Sequence, residues 1–300
     1  MKKIVISLLL ALTVNLATAK ETITIMYAYS PSDTTGNYSR VIVNELNLSQ
    51  DKYTFVFDAK PGAGGTLAVN DVLSKPTNTI LHHSTAFFVR PVIFPKESWD
   101  ISAFKEQYVY CSAPLVVAGG TVKSWKDVAN KKDVTIGISG LGVTTHLMAV
   151  QLQKKYPNLI IVPFKSTTDA MASMFARQTD LAIGFPGEVS QWAASGKVTV
   201  LGITGSKSQK GFPSLISQGF DKMYDGMVVG QSLMVPKSWS EEKTKEIYSM
   251  INKVANRQPV LDSYKDDFCA PTRLQFNDLN SWYDGQTEYW RKLSLEVKLN

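Results

Sequence analysis

"DAKPGAGGTLAVNDVL" (Asp58–Leu73) is the stretch on which the reading of this chain turns. A β-type run, "YTFVFDA" (Tyr53–Ala59), ends just before Pro61. Gly62, Ala63, Gly64 and Gly65 follow, and a helical pattern through Leu67, Val72 and Leu73 begins. A strand feeding a helix through residues with little or no side chain leaves main-chain N–H groups unpaired at the positive end of the helix dipole. An anion can rest directly on such groups. A tight connection with no ligand at all is the plainer reading of the same residues, so the turn has to be weighed with its surroundings.

The unit repeats on both sides. "TITIMYAY" (Thr22–Tyr29) is rich in β-branched and aromatic residues, and "SPSDTTG" breaks it; Asp33 or Thr34 is placed to cap a helix running through Arg40, Val41 and Leu46. "NTILHHS" (Asn78–Ser84) is a third strand. After "PLVVAGG" (Pro114–Gly120), Ser124 and Asp127 form a capping pair for a short helix. "DVTIGIS" (Asp133–Ser139) then runs into "GLGVTT" and the helical "HLMAVQLQKKY". "NLIIVPF", a helix from about Asp169 to Arg177, "DLAIGF" and "VTVLGIT" complete a second α/β unit. Strands alternating with helices predict α/β architecture with parallel sheets. Past Met227, "VVGQSLMVP" reads as extended, and "SEEKTKEIYSMINKVANR" as a helix burying Ile247, Ile251 and Val254. Leu279, Trp282, Tyr283, Tyr289, Trp290 and Leu293 form a helical stripe assigned to core.

"SGLGVTTH" (Ser139–His146) repeats the logic of the first turn: Gly140 and Gly142 open the backbone, and Ser139, Thr144 and Thr145 add hydroxyls. Two such loops, one per unit, suit one small ligand held between them. Neither loop continues into Gly-Lys-Ser/Thr as a P-loop does, and neither completes a dinucleotide fingerprint. Leu141 stands where a nucleophile elbow needs glycine.

Composition bounds the function classes. The chain has 300 residues, 44% hydrophobic and 19% charged, enough for one large or two medium domains with a substantial core. "MKKIVISLLLALTVNLATAK" carries two lysines, an apolar run from Ile4 to Leu16 and the triplet Ala17-Thr18-Ala19, so residues 1–19 read as a signal peptide cut before Lys20. Removing Lys2 and Lys3 lowers the formal charge from +6 to 6 − 2 = +4. The surplus is diffuse, which argues against a nucleic-acid partner. His82, His83 and His146 show no metal-ligand spacing with either cysteine, so neither metal nor cofactor is expected. For Cys111 and Cys269, an exported chain permits a disulfide; two buried thiols acting as small hydrophobes is the equal alternative.

With these motifs in order, the sequence resembles the periplasmic substrate-binding proteins of tripartite tricarboxylate transporters, the Bug or TctC-like proteins. "KPGAGGTLAVNDVL" is similar to their Pro-Gly-Ala-Gly-Gly turn, and "IGISGLGVTTHLMAVQL" to their second glycine/serine loop. "IVPFKSTTDAMASMFARQTDLAIG" is similar to their Val-Pro-Tyr-Lys-Gly segment and the strand after it, with "ASGKVTVLGIT" and "FPSL" in the expected order. The resemblance implies a two-lobed Venus-flytrap fold, each lobe a mainly parallel sheet flanked by helices. Lobe 1 would be residues 20–111 and 227–300 and lobe 2 residues 112–226, with crossings near Ser112–Leu115 and Gly226–Gln231. It further implies a monomeric periplasmic receptor without catalysis, which hands a small carboxylate or related metabolite to the membrane subunits of a tripartite transporter.

Carried over position by position, the resemblance implies ligand contacts from Gly62, Ala63, Gly64, Gly65 and Thr66, with Ser84 and Thr85 after the third strand. Tyr29, Ser32, Asp33 and Thr34 follow the first strand. The second lobe would add Ser139, Gly140, Gly142, Thr144, Thr145 and His146, with Lys165, Ser166 and Thr167 after the next strand and Phe185 as a wall. His146 read by itself is a packing residue, and Lys165 a solvated one. The first loop departs from the family pattern: Ser32, Asp33 and Thr34 replace glycines, and Gly36 stands where that pattern has Asp. Asp33 is a helix cap in the plain reading; aimed into the cleft, it would repel an anion and favour an amino or amide group. Two other functions are compatible with the residues. One is a sensory or orphan binder on the same fold. The other is an exported hydrolase using Ser139 with His146, for which no third orienting carboxylate is evident.

Overall fold

The computed structural model describes residues 20–295, so the expected signal peptide lies outside the described residues. The first half contains β1 (Glu21–Tyr27), α1 (Gly36–Ser49), β2 (Tyr53–Ala59), α2 (Thr66–Ser74), β3 (Thr79–Ser84), α3 (Ala86–Ile93) and β4 (Phe104–Pro114). The middle contains β5 (Val116–Gly119), α4 (Trp125–Asn130), β6 (Val134–Ile138), α5 (Thr144–Lys155), β7 (Leu159–Pro163), α6 (Thr167–Phe175), β8 (Leu181–Gly184), α7 (Pro186–Ala194) and β9 (Thr199–Ile203). The chain then returns through α8 (Met223–Gly226) to β10 (Val228–Pro236), α9 (Glu241–Ala255), α10 (Gln258–Ser263), β11 (Ala270–Pro271) and α11 (Leu279–Ser294).

These strands make two sheets, β11-β4-β10-β3-β1-β2 and β7-β6-β8-β5-β9. The strand–helix repeats supply the parallel part of each: β1 with β2 and β3, and β6 with β7 and β8. The other side of each sheet is antiparallel, because β10 runs against β3 and β4 and β5 runs against β8 and β9. Strands that carry the chain from one sheet to the other arrive from the opposite direction, so they cannot continue the parallel order predicted from sequence alternation.

Position in the sheet explains burial. The edge strand β2 alternates, with Tyr53 and Phe55 buried and Thr54 and Val56 exposed, whereas every residue of the central β3 is buried, His82 and His83 included. Successive side chains point to opposite faces. His82 accordingly meets Ser39 of α1 (Nδ1 to Oγ, 2.8 Å), and His83 meets the Tyr29 hydroxyl (3.1 Å) on the other face. The aromatic stripe of α11 forms core as expected: Trp290 is fully buried, and the Phe88 and Tyr283 rings lie 5.1 Å apart.

The crossings are tightly tied. β4 ends at Pro114 and β5 begins at Val116, leaving Leu115 as the link. Leu115 N–H donates to Thr204 Oγ1 at 2.8 Å and Thr204 N–H returns to Leu115 O at 2.9 Å, while Val228 pairs with Pro114. Cys111 and Cys269 form a disulfide that fastens the segment before β11 to β4. One expectation fails: neither Asp33 nor Thr34 caps α1. That helix starts at Gly36 after Thr35 and has no side-chain cap. The Thr35 hydroxyl is taken by Tyr27 at 2.5 Å, and the Asp33 carboxyl accepts from Thr168 Oγ1.

Candidate functional site

One cavity lies between the two sheets, where the C-terminal ends of their strands meet the following helices. Its volume is about 30 Å³, room for one or two water molecules. Tyr27, Tyr29, Asp33, Thr35, Ser84, Ala86, Val229 and Gln231 face it from the six-stranded side. Ser139, Val143, Thr144, Thr145, Ser166, Thr167 and Phe185 face it from the five-stranded side.

The five-stranded side presents donors. α5 starts at Thr144 and α6 at Thr167, so two helix N-termini meet at this wall with their unpaired amides. Ser139 Oγ and Thr145 Oγ1 lie 2.9 Å apart, and Thr145 also accepts Ser139 N–H at 3.1 Å, which fixes the loop. Ser166 caps α6 by accepting Asp169 N–H at 3.0 Å.

The six-stranded side adds a carboxyl and an amide to its hydroxyls. Tyr29 O–H pairs with Ser84 Oγ at 2.9 Å. Gln231 is 1% exposed, and its amide lies against the buried His82 ring. Asp33 is 6% exposed, and its Oδ1 lies 3.1 Å from Thr168 Oγ1 on the facing half. Thr168 Oγ1 is also 3.1 Å from Glu188 Oε1. One hydroxyl carries one proton, so it can donate to only one of these two carboxyls. Burial pushes Asp33 up to about 7 and Glu188 up to about 8, with like charge from Asp169 adding to the first and from Asp267 to the second.

The structure brings together Tyr29, Asp33, Ser84, Ser139, Thr144, Thr145, Ser166, Thr167 and Phe185 among the residues carried over from sequence. Gly62, Ala63, Gly64, Gly65 and Thr66 lie outside the cavity wall. Their loop approaches side chains instead: a Cβ on Gly65, where φ is +99°, would sit 2.2 Å from His83 Nε2. Gly142 is equally committed, because a Cβ there would come within 2.7 Å of the Phe94 ring. Arg90 bridges the two glycine loops, donating from Nε to Thr66 Oγ1 at 3.2 Å and from Nη1 to Leu141 O at 2.9 Å. Gly140 also lies off the wall, as does the buried Thr85, whose N–H donates to Gly230 O. His146 is 5% exposed, accepts Gly142 N–H at Nδ1 (3.2 Å) and is held near 4 by burial, so it is a neutral packing residue. Lys165 and Ser32 are exposed, and Thr34 is half-buried beside the wall.

Sequence reasoning did not pick out Tyr27, Thr35 or Gln231. Gln231 left a signal, as the one strongly polar side chain in the apolar run "VVGQSLMVP". Glu188, Thr168 and Asp267 left none, since their importance comes from meeting across the gap: Gly187 N–H donates to Asp267 Oδ1 at 3.1 Å.

Residues 40–291 match the model of the tripartite tricarboxylate transporter family receptor, TctC. The chain belongs to that family. A family relative, the UPF0065 protein in the tcbD-tcbE intergenic region of Pseudomonas sp. (strain P51), is 21% identical, covering 93% of this chain and 87% of its own. Among solved structures, the periplasmic binding protein BugD superposes with a TM-score of 0.81 at 19% identity, covering 92% of this chain and 97% of that one. MatC from Rhodopseudomonas palustris with bound malate gives 0.79 at 16% identity (91% and 99% covered), and an R. palustris protein with adipate gives 0.79 at 16% (94% and 98%). The fold is therefore shared with a periplasmic binding protein and with proteins solved with malate and adipate. In that fold the cavity is the cleft between lobes.

Proposed function

We propose that this receptor captures a small carboxylate or related metabolite in the interlobe cleft of the periplasm and presents it to the membrane subunits of a tripartite transporter. The observation that carries the reading is a cavity walled by strand-to-helix ends of both lobes, with helix N-termini and five hydroxyl residues on one side. Main-chain amides and hydroxyls hold a carboxylate without a formal cation. The family membership and the malate- and adipate-bound neighbours support the ligand class.

The proposed lobes are residues 20–111 with 227–300, and 112–226, acting as a monomer that hinges at the crossings. The small cavity supports a hinge, because a solute of more than a few atoms enters only if the walls part. No catalytic step belongs to this reading. Ser139 Oγ is engaged by Thr145 and His146 Nδ1 by the Gly142 amide, so the nucleophile–base pair of a hydrolase is not assembled.

Thermal-shift titration of protein stripped by unfolding and refolding tests the proposal. Di- and tricarboxylates, amino acids, and pyridine carboxylates and amides form the panel. At least one should stabilise saturably, by about 2.7 kcal/mol at a hundredfold excess over Kd. A flat response across the panel overturns it. Neighbouring genes for one large and one small membrane subunit are the expected mark of transport, as against ligand sensing.

A further inference from the structure

Resting on the receptor reading above, we propose that the solute carries an amino group beside its carboxylate, with the carboxylate on the lobe 2 amides and the ammonium on Asp33. Hydroxyls line both walls of the cleft, but a carboxyl lines only the six-stranded one. Ser139, Thr144, Thr145, Ser166 and Thr167 gather at the positive ends of two helices, of twelve and nine residues. Opposite them stands the buried Asp33 carboxyl, an acceptor for a cation once ionised, with the Gln231 amide beside it in the wall.

Among the described residues, no lysine, arginine or histidine lines the cavity. Arg90, which bridges the two glycine loops, is committed to Thr66 and Leu141. Asp33 meets the Thr168 hydroxyl and feels the charge of Asp169 and, across the cleft, Glu188; Tyr27 and the Ser30 backbone also bear on it, and none of these supplies positive charge. A buried carboxylate without a cationic partner is costly, and a purely anionic ligand would raise that cost by like-charge repulsion. A ligand ammonium supplies the missing charge. A zwitterionic amino acid or short ω-amino acid can set its carboxylate on the lobe 2 amides and its ammonium on Asp33; a plain dicarboxylate sets a second carboxylate against Asp33.

The test is calorimetric titration of the stripped receptor with sets that share a carbon skeleton. One set is butyrate, 4-aminobutyrate and n-butylamine; the other is succinate and aspartate. The amino acid of at least one set should bind about tenfold or more tightly than its deamino partner. Asp33→Asn should remove that preference while leaving the deamino acid as tight or tighter. The wild-type ratio decides the matter even if Asp33→Asn fails to fold. Deamino carboxylates binding as well as or better than their amino partners would overturn this inference and leave the receptor reading standing. Binding of n-butylamine with no response to any carboxylate would sink the carboxylate reading as well, and no binding by either set would count against both.

Discussion

Arg90 Nη1 donates to the carbonyl of Leu141 at 2.9 Å, so a side chain of α3 in one lobe grips the glycine loop of the other. Its guanidinium also lies over the Phe94 ring, 4.9 Å from the centroid. The two glycine turns thus close on a protein cation, and their lack of side chains serves this approach. Arg90→Met should break the grip. We expect a loss of about 1–3 kcal/mol, the scale of a charged hydrogen bond, and a larger radius of gyration in X-ray scattering. An unchanged radius and melting curve would show that the contact does not hold the lobes together.

Gly65→Ala is expected to destabilise the receptor by roughly 1–3 kcal/mol through its left-handed backbone alone, with more from the clash at His83 Nε2. Denaturant unfolding measures it. Ligand affinity, compared after correction for the folded fraction, should change little, since Gly65 stands off the cavity wall.

Asp33, near 7, and Glu188, near 8, predict a stability that depends on pH. Both hold protons in the folded protein that the unfolded chain gives up at about 4. Their contribution is therefore full below about pH 4 and declines as pH rises, until it is lost above about pH 8. His82, His83 and His146, pushed down to about 3, 4 and 4, act in the opposite sense below about pH 6.5. Melting temperature should accordingly fall between pH 7 and 9, and Glu188→Gln should flatten that fall. A wild-type profile that stays flat or rises across this range would refute the assignment.

Reducing the Cys111–Cys269 bridge should cost about 2–5 kcal/mol, given a loop of 158 residues closed by it. The bridge also anchors the turn bearing Asp267, which accepts Gly187 N–H across the cleft and Tyr38 O–H at 2.6 Å. Cys111→Ser with Cys269→Ser should therefore weaken closure as well as folding, read as a higher Kd for any ligand that stabilises the parent.

The strand–helix alternation, the cap at Ser124, and the apolar faces of α9 and α11 were all legible in the sequence. Each depends on residues a few positions apart, where hydrophobic period and local hydrogen bonding suffice. Ser139, Thr144 and Thr145 could be named for the same reason, lying at one strand-to-helix turn. Only the tertiary structure decided that Gly64 approaches Arg90 and Gly65 approaches His83, off the wall of the cavity, that Asp33 meets Thr168, and that Gln231 completes the wall. Those outcomes are set by the docking of two sheets whose strands come from distant parts of the chain. Local sequence determines that a backbone amide or carboxyl is exposed at a turn; the packing of the other lobe determines what stands in front of it.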